Sequence, residues 1–190
     1  MICRKTDKTT IITKDEVHAK IKAGLYMLVR NDGYLMEKDL HERTITHKLA
    51  NYYEKLFRGW DVDCEYNKSI DAGKIILDER GKRCSILPDI IVHRRGDNRS
   101  NLVAIELKKT TNDDKDGRKK DIDKLSELVK EPYNYKYAYF IDIPTDRDFA
   151  GISTEFSVVP YSEPNKPLDG IYIVKDSLSL VLYFACYMLS

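Results

Sequence analysis

Two acids and a lysine within residues 84–109, CSILPDIIVHRRGDNRSNLVAIELKK, have the types and spacing to do chemistry. Asp89 follows a proline, and Glu106 and Lys108 lie two apart in an apolar run. Residues two apart on a strand share a face, so a strand here would present a carboxylate and an ammonium side by side. Carboxylate oxygens suit hard divalent cations. A neighbouring ammonium can stabilise negative charge that builds during a reaction.

Two strands around a polar turn are needed to bring these groups together. Residues 86–94 and 101–109 are rich in Ile, Val and Leu, and residues 95–100 (RGDNRS) supply turn chemistry. A turn centred between Asp97 and Asn98 sets Asp89 opposite Glu106, with Lys108 on the same face. The other face then carries Ile86, Ile90, Val92, Val103, Ile105 and Leu107, a core pattern. Two carboxylates opposed across a ladder repel each other and call for a bound cation or a neighbouring base. Lys108 and a divalent metal are the two candidates. A one-residue slip would send Glu106 to the opposite face.

The 190 residues suit a single domain, 1–190, able to bury a full core. A composition that is 42% hydrophobic and 33% charged is globular and not disordered. Net charge is +1, so any nucleic-acid binding must rest on local patches and not on a whole-molecule field. The four cysteines are far apart with no C-x-x-C spacing, which argues against a zinc site and for a reducing compartment. The polar start carries no signal-peptide pattern, so the expected location is cytoplasmic. Residues 178–189 (LSLVLYFACYML) are apolar but too short to span a bilayer, and read as a buried closing element with no membrane role.

Residues 14–30 place Val17, Ile21, Leu25 and Leu28 at helical spacing, and Asn31-Asp32-Gly33 signals an end. A second helix is expected over 38–57, with Ile45, Leu49, Tyr53 and Leu56 inward. Glu42 falls on that same stripe. Either it closes a capping box with Asp39, or it has a partner or a task in the interior. His41-Glu42 with His47 is not a zinc-protease motif, because shared ligation needs histidines four apart and these are six apart.

Residues 60–67 alternate as a half-buried strand whose acids, Asp61, Asp63 and Glu65, read as a solvated face, with Glu65 a lesser site candidate. A charged connection follows over 69–83, with a short strand at 74–77. Residues 115–130 form a helix with Ile122, Leu125, Leu128 and Val129 inward. Its Lys115, Arg118, Lys119, Lys120 and Lys124 alternate with Asp116, Asp121 and Asp123. They are either a solvated face or, with Lys109, His93, Arg94 and Arg95, cations that grip phosphates. Residues 136–143 form a strand stopped by Pro144, and 155–161 and 170–174 add further strands.

Pro88-Asp89, followed by Glu106-Leu107-Lys108 on the next apolar strand, resembles the PD-(D/E)xK motif of restriction-endonuclease-like nucleases. Within that group the chain is similar to bacterial members of unassigned role, through an E-x-x-x-x-H-x-L-A helix (42–50), D-C-E-Y-N (63–67) and P-D-I-I-V-H (88–93). The resemblance covers residues 38–143. It implies an α/β fold with an α-β-β-β-α-β core and a mixed central sheet flanked by helices. The helix over 14–30 and a β extension over 150–190 would be additions to that core.

The resemblance also implies phosphodiester hydrolysis with Mg²⁺ or Mn²⁺, on DNA before RNA. Asp89 and Glu106 would hold the metal, with the backbone carbonyl of Ile105 or Leu107 as a further ligand. Lys108 would assist the attacking water, and Glu42 would complete the shell or orient Lys108. A homodimer would suit cutting of both strands. A non-catalytic nucleic-acid or protein-binding module on the same fold stays open, as does a purely structural salt-bridge cluster.

Overall fold

The computed structural model of the chain describes residues 12–66, 68–69, 72–73, 75–77, 83–152, 154–163 and 166–176. Helix α1 (Lys14–Glu37) opens with a reciprocal cap, in which Thr13 Oγ1 accepts from the Glu16 N–H and the Glu16 carboxylate accepts from the Thr13 N–H. It does not end at residues 31–33 as expected. The helix kinks at Asp32 (φ −124°) and runs on to Glu37. The Asp32 carboxylate takes the Tyr52 hydroxyl at 2.5 Å and Lys48 at 3.5 Å, while Met36, one turn on, is fully buried.

Helix α2 (Glu42–Leu56) starts four residues later than the apolar pattern suggested, and His41 is its N-cap. Residues 38–40 turn instead, with Asp39 in the left-handed region at φ 47°. The two helices pack tightly. A Cβ on Gly24 would stand 2.3 Å from the Tyr53 ring, so this crossing requires glycine. That seating fixes the direction in which the start of α2, and with it Glu42, points.

The central sheet has the order β1 (Asp61–Cys64), β6 (Ile90–His93), β7 (Asn101–Lys109), β8 (Tyr137–Ile143), β10 (Lys166–Asp176) and β9 (Phe156–Glu163). β1, β6 and β7 are antiparallel neighbours. β8 is parallel to both β7 and β10, and β9 closes the far edge antiparallel to β10. Over the described residues the fold is α/β, with a mixed, open, six-stranded sheet and three α-helices. Two small ladders, β2 (Lys68–Ser69) with β3 (Ala72–Gly73) and β4 (Ile75–Leu77) with β5 (Arg83–Ser85), lie between β1 and β6 in the chain.

Parallel neighbours need a crossover, and helix α3 (Lys115–Leu128) supplies it between β7 and β8. α1 and α2 cover one sheet face, packing on Ile90, Val92, Val103, Ile105, Leu107, Tyr139 and Ile141. On the other face Leu125 and Leu128 of α3 pack with Ile91, Ala104, Ala138 and Phe140. β7 and β8 are therefore central strands buried on both faces, which explains the apolar runs Leu102–Ile105 and Tyr137–Ile141.

Ile90 faces Ile105, Ile91 faces Ala104 and Val92 faces Val103, the register expected from the turn. An irregularity between Val92 and His93 absorbs a short 3₁₀ turn at Asn98–Ser100, and it lies at the turn end, away from Asp89. β6 is shorter than the run over 86–94. The chain bends at Asp89, and its carbonyl accepts from the Glu65 N–H at 3.2 Å. Ile86, expected beside Ile90, packs instead in the α3-side cluster with Ile91 and Ala104, because strand alternation does not extend back through the bend. The closing element expected over 178–189 lies outside the described residues. Among the described residues no helix is long and apolar enough to cross a membrane.

Candidate active site

β6 stops at Ile90 while β7 continues to Lys109, which leaves one edge of β7 without a ladder partner beyond Ile105. Asp89 fills this gap, and its Oδ2 accepts from the Leu107 N–H at 2.8 Å. The N–H and C=O of a strand residue point to the same edge, so the Leu107 carbonyl also faces the Asp89 side. Glu106 and Lys108 alternate onto the α3 face. α3 runs back along β7, bringing Asp121 beside Lys108 and, one turn on, Lys124 beside Glu106.

The resulting ion pairs form a chain. Glu42 Oε1 lies 3.3 Å from Lys108 Nζ, and Lys108 Nζ lies 3.2 Å from Asp121 Oδ2. Asp121 Oδ1 lies 3.0 Å from Lys124 Nζ, which lies 2.9 Å from Glu106 Oε1. Glu42 Oε2 also accepts from the Lys109 N–H at 3.3 Å. Glu42 is thus the first residue of its helix, turned outward to β7, and the capping-box alternative does not occur. The Asp39 N–H donates to the Met36 carbonyl instead.

Glu106 is 2% exposed, and burial pushes its carboxyl well above the usual glutamate range. The charge of Asp89 adds to the rise, and Lys124 opposes it. Asp89 is pushed up as well, again chiefly by burial, with the Leu107 N–H, Lys108 and Lys124 opposing. Burial is also the largest effect on both lysines and pulls them down. Asp121 and Glu42 outweigh it at Lys108, and Glu106 and Asp121 outweigh it at Lys124, so both end raised and stay charged. A lysine held this way stabilises charge or donates hydrogen bonds, and is no general base.

A testable consequence concerns stability. Between the ordinary glutamate range and the raised value of Glu106, the folded chain binds more protons than the unfolded chain. Stability therefore falls as pH rises through that window, by up to about 1.4 kcal/mol per pH unit for one group. Glu106→Gln is expected to remove this loss. The difference between the two proteins, from denaturant midpoints in chelator across about pH 5 to 8, should widen with pH. Parallel curves would show that Glu106 carries no such burden.

Other expected cations are placed elsewhere. Lys109 Nζ is 2.9 Å from Asp39 Oδ1 and stitches β7 to the α1–α2 turn. Arg94 lies over the Trp60 ring at 5.2 Å, and Arg95 grips Asp63 and Asp61. Both arginines sit about 20 Å of extended chain from Asp89. His93 Nε2 is 2.8 Å from Asp63 Oδ2, and Arg118 binds Asp142 and the Lys109 carbonyl. Asp61 and Asp63 thus form ion pairs and are not a bare solvated face. Glu65 pairs with Arg43 at 2.9 Å. Lys119 and Lys120 are exposed on α3, close in sequence to Lys124.

The sequence leaves Asp121 on a mixed-charge face and Lys124 either on that face or gripping phosphates, and the pairing of the two beside Glu106 is seen only in the structure. The available signal was position, since Asp121, Leu125 and Leu128 share one stripe of α3, just as Glu42 shares one with Ile45 and Leu49. Among the described residues no three His, Cys, Asp or Glu side chains converge on a single ligating point, and lysine ammoniums stand between the carboxylates. No protein-family model, curated protein or solved structure matches the chain.

Proposed function

We propose that the chain is a Mg²⁺-dependent nuclease of the PD-(D/E)xK type that hydrolyses phosphodiester bonds, in DNA before RNA. One observation carries this reading. The linked groups at the end of β7 comprise four carboxylates (Glu42, Asp89, Glu106 and Asp121) and only two ammoniums (Lys108 and Lys124). With all four ionised the shortfall is two charges, the charge of one divalent cation, and the raised pKa values of Asp89 and Glu106 express the same imbalance when protons are the only compensation. A buried carboxylate without compensation is costly, so a structural salt-bridge cluster would be expected to balance. The order α2, β1, β6, β7, α3, β8, with β7 and β8 parallel, supports the same reading, because it is the α-β-β-β-α-β order that the resemblance implies.

The residues suit a hard cation. Asp89 and Glu106 offer carboxylate oxygens, and the Leu107 carbonyl faces the Asp89 edge. When bound there, Mg²⁺ or Mn²⁺ supplies Lewis acidity at the phosphate and a lowered pKa for water. The chain itself contributes position and charge. Lys108, kept protonated by Asp121 and Glu42, offers its ammonium to the negative charge that builds on the phosphate. Glu42 orients Lys108 from α2, and the Lys109 N–H holds Glu42 in turn. Exposed Lys119 and Lys120, on the same helix as Asp121 and Lys124, would contact the nucleic-acid backbone.

The direct test is incubation of purified protein with duplex DNA, single-stranded DNA and RNA. Cleavage with Mg²⁺ or Mn²⁺ that chelation abolishes is expected. Binding to the same substrates should weaken with added salt as phosphate contacts release counterions. Salt-sensitive binding with no cleavage under either metal would replace the enzyme by a binding module. Neither binding nor cleavage would leave an ion-pair cluster with a structural role.

A further inference from the structure

We infer that Lys124 is a displaceable counter-ion for Glu106. Its ammonium holds the carboxylate while the cation site is empty, and yields it to a divalent cation by moving fully onto Asp121. This rests on the nuclease reading above and adds a positioning residue outside the Asp89, Glu106 and Lys108 set.

Lys124 Nζ bridges two carboxylates at almost equal distance, Glu106 Oε1 at 2.9 Å and Asp121 Oδ1 at 3.0 Å. The two partners differ in place. Glu106 is on the sheet, on the side where Asp89 acts on it, whereas Asp121 is on the same helix as Lys124, three residues back. Leaving Glu106 therefore does not leave the lysine unpaired.

Asp121 can keep the amine without any new partner. Its Oδ2 faces Lys108 Nζ at 3.2 Å, which leaves Oδ1 to Lys124. Its Oδ1 already accepts from Lys124. An ammonium at 2.9 Å from Glu106 and a divalent cation on the same buried carboxylate would repel, which favours one occupant at a time. The arrangement keeps a 2% exposed acid compensated whenever the cation is absent.

Lys108 makes a useful comparison. It also bridges two carboxylates, Glu42 and Asp121, but neither is Glu106 or Asp89. Removing it takes charge from the neighbourhood without taking an occupant off a ligand.

Calorimetric titration of the full chain with Mn²⁺ alone, without nucleic acid, tests the inference. Lys124→Met is expected to bind Mn²⁺ at least about tenfold more tightly than the unaltered protein, because no like charge must be moved off Glu106. Lys108→Met should change the affinity far less. If Lys124→Met does not fold, Lys124→Gln keeps a polar group between the two acids, removes the charge and carries the same expectation. Unaltered or weaker affinity in the Lys124 variant, with clear Mn²⁺ binding by the parent protein, overturns the counter-ion role and leaves the nuclease reading standing. Absence of Mn²⁺ binding by the parent protein overturns that reading, and this inference with it.

Discussion

Asp89→Ala is expected to lose divalent-cation binding and nucleic-acid cleavage together, with cleavage down by at least about 10²-fold, or about 2.7 kcal/mol of transition-state stabilisation. Asp89 is the acid at the open edge of β7, and its carboxylate accepts from the Leu107 N–H at 2.8 Å. Its removal takes away one charge of the two that the site lacks balance for. It also leaves Glu106 alone to hold a divalent ion, with Lys124 already paired to it. Loss of both properties need not reflect unfolding. Burial penalises the Asp89 charge, so a neutral residue there relieves electrostatic strain in the metal-free protein. Asp89→Asn, which keeps an acceptor for the Leu107 N–H, should behave like the alanine variant in cation binding while retaining the fold. Mn²⁺ titration beside a cleavage assay provides the measurement. Full cation affinity in either variant would remove Asp89 from the metal site.

Lys108→Ala should separate what Asp89→Ala joins. Cation binding is expected to persist, nucleic-acid binding to remain salt-sensitive, and cleavage to fall by at least about 10²-fold. Lys108 contacts Glu42 and Asp121 and neither expected cation ligand, so its loss leaves the metal's oxygens in place. What disappears is a fixed positive charge, and a preorganised charge acts on the transition state more than on the bound substrate. In kinetic terms the fall should appear in kcat with little change in KM. Lys108→Arg should rescue poorly, because a planar, delocalised guanidinium does not reproduce the compact ammonium held between Glu42 and Asp121. A variant that cleaves at the parent rate would assign Lys108 to the structural ion-pair chain and leave the chemistry to the remaining groups.

Much of the candidate site can be read locally from the sequence. Turn residues between two β-branched runs set the pairing of β6 with β7, and the observed partners Ile90–Ile105 and Val92–Val103 follow from that turn. Once the register is set, period-two alternation puts Glu106 and Lys108 on one face. It also puts Asp89 on that face opposite Glu106, whereas β6 begins only at Ile90 and the Asp89 carboxylate turns to the Leu107 N–H at the edge of β7. The inward stripe of α2 leaves Glu42 as either a capping residue or an acid with an interior partner or task, and the structure pairs it with Lys108.

What failed was local in a different way. The helix expected to stop at residues 31–33 runs on through a kink, because Tyr52 and Lys48 of another helix supply partners for Asp32. Ile86 changed faces because a bend at Asp89 interrupts the alternation.

Charge partners were decided by tertiary structure alone. Lys109, Arg94, Arg95 and Lys124 share a sequence-level description, a cation near the motif, yet they end on Asp39, Trp60, Asp63 and Glu106 respectively. A charged side chain is long and mobile, and its pairing is chosen by whichever opposite charge the fold brings within reach. The alternation of acid and base along α3 is equally consistent with a solvated face and with a face turned to the sheet. The β7–α3–β8 crossover settled the matter by laying α3 back along β7, one turn against two residues, so that Asp121 meets Lys108 and Lys124 meets Glu106. The sequence alone determined that Glu106 and Lys108 share one face of a strand, because backbone periodicity ties each residue to its neighbours. The second lysine and the acid between the two lysines required the fold, because nothing in the local chain specifies which helix face will rest on which end of a strand.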